Sequence, residues 1–164
     1  MAAADAGQVQ ALIEALGPRN DEIEVISRND DAQWSVGFDE DTVVTLDLVA
    51  DQAKLVLSIP LGRPATDQRL ATYEAMLSYN MLWPETGGVT MGLGGAHGEL
   101  VQLFELNTTD LTPDLLDAVL VNFAEKARMW RRVIADGSFG EPAVATAAAA
   151  SVVGQQQRDF MIRA

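Results

Sequence analysis

Cysteine is absent from the 164 residues, which excludes disulfides, thiolate metal sites and thiol nucleophiles together. Histidine occurs once, as His97, inside a glycine-rich stretch. A lone loop histidine has no oriented partner for general acid–base work, and no spaced His/Asp/Glu set suggests a transition-metal site. Basic residues are few, 11 against 24 acidic ones, for a net charge of −13. With no basic stripe to release counterions, phosphate backbones and anionic membranes are repelled, so no nucleic-acid partner is expected. No uncharged apolar run approaches the ~18 residues of a membrane span. Met1–Asp5 has neither the basic nor the apolar region of a signal peptide. The expected location is the cytoplasm.

Apolar residues make up 48% of the chain, enough for a packed core rather than wholesale disorder. Val9, Leu12, Ile13 and Leu16 share one helical face, and Gly17-Pro18 ends it. Ile23–Ile26 is a weak strand candidate. Three stronger ones follow: Trp34–Phe38, Thr42–Val49 and Lys54–Leu61, with Asp39-Glu40-Asp41 as the first turn. Connections this short suit antiparallel neighbours. A helix then runs from about Asp67 to Leu82 with Thr66 as its cap. Its stripe of Leu70, Tyr73, Leu77 and Met81 is joined by Ala75, Met76, Tyr79 and Leu82, so it is apolar on more than one side and expects cover on more than one side.

Gly87–Gly98 encloses a short apolar stretch, and Glu99–Leu106 reads as another strand. Thr112-Pro113-Asp114 opens the best helix, with a cap, a proline at the first helical position and an acid at the positive dipole end. Lys126, Arg128, Arg131 and Arg132 gather towards its C-terminus, and the segment closes near Gly137. Residues 138–164 form an Ala/Gln-rich tail after a domain of residues 1–137. The glycines between 87 and 98 fail the dinucleotide test: a third glycine after Gly92 and Gly94 would fall on His97, and no Lys-Ser or Lys-Thr completes a P-loop. Tight turns around a strand account for them. Neither a catalytic constellation nor a cofactor motif is present.

Val43, Val49, Val56, Val101 and Leu103 sit on the parity opposite their strands' main apolar row. An antiparallel sheet covered on one side should be largely polar there. This second face is therefore expected to bury against a twin subunit or an extended peptide, the alternative being that the chain's own tail covers it.

Several segments together carry a family likeness. Tyr73–Asn80 forms the end of the second helix, Thr86–Leu93 the short strand after it, and Gly98–Leu103 the next strand. Phe123–Arg131 closes the pattern with its late Trp-Arg. In this order the chain resembles the small acidic chaperones of type III secretion systems, the Tir-type and other single-effector chaperones, over about residues 8–136. The resemblance implies an α+β fold: a twisted antiparallel sheet with three helices, in the order α-β-β-β-α-β-β-α. It implies a homodimer formed through the second helix, with Leu70, Tyr73, Met76, Leu77, Tyr79 and Met81 at the seam. It further implies a non-enzymatic role in the bacterial cytoplasm, holding a secreted effector extended without ATP, with Val43, Val49, Val56, Val101 and Leu103 as effector contacts. The alternative is an adaptor dimer that engages components of the secretion apparatus. The tail after Ser138 departs from the compact family core.

Overall fold

The structure, a computed structural model, describes residues 5–82, 84–94 and 98–139. The tail expected over 138–164 lies outside the described residues from 140 onward, as does His97. Helix α1 spans Ala6–Glu14, α2 Arg69–Met81 and α3 Pro113–Asp136. Strands β1 (Val25–Arg28), β2 (Gln33–Gly37), β3 (Val43–Val49), β4 (Lys54–Gly62), β5 (Thr90–Gly94) and β6 (Glu99–Asn107) form one sheet in the order β1-β2-β3-β4-β6-β5. The α+β class is as expected. One strand is added: β1 precedes the three that were read with ease, and pairs antiparallel with β2 from Val25↔Gly37 to Arg28↔Trp34. An edge strand needs little apolar content, because only part of it is covered; that is why Val-Ile-Ser-Arg is a faint signal.

Helix boundaries follow local chemistry. The Asp5 carboxylate accepts from the Gly7 amide at 2.9 Å and starts α1. Thr112 caps α3 as expected, its hydroxyl accepting from the Leu115 amide at 3.2 Å. At the other end Gly137 takes φ +65° and the Ser138 amide reaches back to the Val133 carbonyl at 3.3 Å. This is a Schellman closure, which needs the left-handed conformation that glycine adopts freely. Thr66 does not cap α2. Residues Thr66–Gln68 form a 3-10 turn, and Gln68 precedes the helix with no side-chain cap. The Thr72 hydroxyl donates to the Gln68 carbonyl at 2.8 Å instead.

Two compact units make up the fold. One is built from the residues up to Ile59 with Phe104–Glu125. Its core takes Val9, Ile13 and Leu16 from α1, one face of β2–β4 (Trp34, Val36, Val44, Leu46, Leu55, Leu57, Ile59), and Leu116, Leu120 and Phe123 from α3. The Asn20 amide donates to Asp117 at 2.7 Å and Arg19 pairs with Asp114, tying the segment after α1 to the start of α3. The other unit comprises Pro60–Leu103 and the chain from Lys126 on. Its core is Ala75, Met76 and Tyr79 of α2, Val89 and Met91, Leu100, and Ala127, Trp130 and Ile134 of α3.

Candidate protein-binding surfaces

Helix α2 has two apolar sides with different fates. Thr72, Ala75, Met76 and Tyr79 are buried within the unit. The Tyr79 ring meets Trp130 edge-on, with centroids 5.1 Å apart and planes at 85°. Leu70, Leu77 and Met81 are 71%, 67% and 78% exposed, and Tyr73 is half-buried beside them. Positions 70, 73, 77 and 81 recur at three and four residues, so they form one outward stripe. Met76 and Tyr79, expected at a dimer seam with them, are covered by the chain itself. A helical wheel shows two apolar sides but not which of them the same chain covers.

Asn80, at the end of this helix, acts as a substitute strand. Its side-chain amide donates to the Met91 carbonyl at 2.9 Å, and its carbonyl oxygen accepts from the Met91 amide at 2.8 Å. Strand β5 is at the sheet edge, so these bonds satisfy backbone groups that would otherwise invite pairing by another chain. Gly87, Gly88 and Gly98 have positive φ and serve turns. Gly92 and Gly94 do not: they lie in β5, where an added Cβ on Gly94 would come within 2.7 Å of Val101 Cγ2, and one on Gly92 within 3.7 Å of Leu103 Cδ1. Val101 and Leu103 thus lean over the part of β5 where Gly92 and Gly94 carry no side chain.

Lys126 was read with Arg128, Arg131 and Arg132 as one of the cations gathered towards the end of α3. It is instead buried, donating to the Tyr79 hydroxyl and to the Thr86 carbonyl, each at 3.2 Å. Burial lowers its pKa from 10.5 to about 8, because a desolvated ammonium loses hydration that two neutral oxygens only partly replace. Above pH 8 the native state gives up this proton while the unfolded chain still holds it, to about pH 10.5. Stability from this group therefore rises with pH across that window, by up to about 3 kcal/mol. Urea midpoints of the wild type and Lys126→Met, compared at pH 7.5 and 10, should show the wild type gaining on the variant. An unchanged difference would mean that Lys126 keeps its proton throughout.

On the sheet face away from the core, Val49, Val56, Val101 and Leu103 are half-buried and Val43 is exposed. They divide between the units: Val43, Val49 and Val56 belong to the first, Val101 and Leu103 to the second. Val43 and Val49 share a face of β3 but stand six residues apart, roughly 20 Å, with Thr45 and Asp47 between them. In the first unit, Asp47 accepts from the Gln33 amide at 2.6 Å and stands opposite Val56. Val49 stands opposite Lys54, which pairs with Glu105 at 2.6 Å. At the other end of β3, Val25, Gly37 and Val43 line up across three strands. A Cβ on Gly37 would lie 2.7 Å from Val25 Cγ1 and 3.8 Å from Val43 Cγ2. The two valines, 54% and 36% exposed, thus close over the glycine. Sequence parity marked Val43 and missed Val25, whose strand it barely registered.

Charge is divided unevenly. The first unit holds 17 acidic and three basic residues, a net −14; residues 60–103 with 126–139 hold five acidic and six basic, a net +1. Among the described residues no helix is long and apolar enough to cross a membrane, and no group of His, Asp and Glu could hold a metal ion.

The fold matches that of solved type III secretion chaperones. The Tir chaperone protein (CesT) family profile matches residues 12–131, and the chain belongs to that family. Similar solved folds come from three complexes. The ExsC–ExsE complex is 23% identical with a TM-score of 0.65, covering 79% of this chain and 95% of that one. The HopA1–SchA chaperone–effector complex is 18% identical with a TM-score of 0.60, covering 79% and 98%. The Yersinia pestis type III secretion chaperone SycH, in complex with a fragment of YscM2, is 24% identical with a TM-score of 0.55, covering 73% and 97%. A comparison with curated proteins finds no match.

Proposed function

We propose that this protein is a type III secretion chaperone of the bacterial cytoplasm. It acts as a homodimer, holds a secreted effector by a segment kept extended and competent for export, and uses no ATP. The observation that carries this reading is the exposed apolar stripe of α2 on a chain of this family. The α2 stripe fits a second copy, and the sheet face with Val43, Val49, Val56, Val101 and Leu103 fits a client. Charge supports the assignment. Two chains of net −13 repel each other, and that repulsion is least where the nearly neutral unit bearing α2 meets its twin. Strand addition and apolar pockets are the physical means of holding an extended segment.

Co-purification with mass spectrometry, from a strain carrying its own secretion locus, tests the reading. One or two large secreted proteins should accompany the chaperone in stoichiometric amounts. Apparatus components in their place would make it an adaptor. Val56→Asp with Leu103→Asp should abolish capture while leaving the dimer folded; undiminished capture would remove this face from the client site.

A further inference from the structure

From the patch at the β2–β3 turn we infer the chemistry of the client segment: Val25 and Val43, closed over Gly37 and rimmed by Glu24, Glu40 and Asp41, receive a polypeptide stretch that interleaves lysine or arginine with apolar residues. This rests on the chaperone reading, which makes the partner a polypeptide, and adds where it sits and what it must carry.

The apolar part of the site comes from the register. Gly37 has no side chain, so its neighbours on either strand approach across it and make one exposed aliphatic spot that nothing in the first unit covers. The rim follows from chain order. Glu24 leads directly into Val25, and its amide bonds the Gly37 carbonyl at 2.9 Å. Asp39-Glu40-Asp41 joins Gly37 to Val43, folded by the Asp39 carboxylate accepting from the Asp41 and Thr42 amides at 3.0 and 2.7 Å. Glu24, Glu40 and Asp41 are exposed. From Asn29 to Ala53 there is no lysine or arginine at all, so no cation of this segment offsets the rim. An acidic unit of net −14 disfavours a second copy of itself and an anionic ligand, and favours a cationic one. The valines add the requirement for apolar residues between the cations.

The test uses the full chain and three synthetic dodecapeptides, alternating Lys-Leu, Glu-Leu and Lys-Ser, with binding read by fluorescence anisotropy. Lys-Leu should bind at least tenfold more tightly than either of the others. Val25→Ser with Val43→Ser should weaken it about tenfold. Glu24→Gln with Glu40→Gln and Asp41→Asn should do the same at 50 mM salt and flatten the salt dependence. Asp51→Asn with Asp110→Asn, both exposed and distant in sequence from the turn, should change little. On the wild type, Lys-Leu should slow hydrogen exchange over residues 22–43, a readout independent of any variant's folding. The inference falls if the distant pair weakens binding as much as the rim, since net charge alone would then be at work. It also falls if the valine variants change the oligomeric state, because the patch would then be a contact between copies. The two readings fail separately: a wild type that co-purifies with no client ends the chaperone proposal, whereas a captured client beside unaltered peptide binding ends only this one.

Discussion

Leu77→Asp should convert the proposed dimer into a folded monomer. Leu77 is 67% exposed in the subunit, so the change costs the isolated fold little; surface substitutions of this kind stay within about 0.5 kcal/mol. In a seam the same change removes about 2 kcal/mol of apolar burial and leaves a carboxylate facing apolar side chains, which costs more than that. The stripe from Leu70 to Met81 is about 16 Å long, and a symmetric pairing puts both copies of Leu77 in one seam, so two like charges enter it together. A loss of 3 kcal/mol or more raises the dissociation constant by at least ~100-fold. Sedimentation velocity at micromolar concentration should give about 17.6 kDa in place of twice that mass, with the far-ultraviolet circular dichroism unchanged. If Leu77→Asp sediments as a dimer, the stripe is not the seam. A monomeric wild type would remove the dimer from the proposal altogether.

Trp130→Ala carries the other large effect, on stability. The indole is 1% exposed and packs edge-on against Tyr79. Truncating a buried tryptophan costs about 3–5 kcal/mol, and the lost aromatic pair belongs to that cost rather than adding fully to it. At a few degrees per kcal/mol for a chain of this size, the melting temperature should fall by roughly 10 °C. Trp130→Phe keeps an aromatic ring against Tyr79 and should recover much of this difference, since the indole Nε1 has no hydrogen-bond partner among the described residues. Scanning calorimetry on both variants checks the order. If Trp130→Ala costs under 1 kcal/mol, the Tyr79–Trp130 contact does not hold α2 in place.

Much of the fold was legible in sequence. Alternation over Thr42–Val49 and Lys54–Leu61 placed β3 and β4 within a residue of their bounds, and the Thr-Pro-Asp start and Gly137 stop placed α3. These signals are local, because period, cap and left-handed turn each involve neighbouring residues only. The faint strand was the edge strand β1, whose stability comes from pairing with β2 rather than from its own composition. The second sheet face was also recognised by parity, with Val43, Val49, Val56, Val101 and Leu103 all at least half-buried or exposed on the side away from the core.

What could not be read was which of two equivalent apolar faces the chain itself covers. Met76 and Leu77 are adjacent and equally hydrophobic, yet one is buried and the other is open. Lys126 stood among the cations gathered near the end of α3, and nothing local marked it as the one buried as a donor to Tyr79 and Thr86. Gly92 and Gly94 resembled turn glycines until Val101 and Leu103 were seen leaning across them. By itself, then, the sequence determined the class of fold and all but one of its elements, through composition and short-range periodicity. The tertiary structure decided which apolar side of α2 stays open, where valines close over glycine, and that 17 of the 24 acidic residues gather in one unit. Those outcomes depend on contacts between residues far apart in the chain, and periodicity carries no information about them.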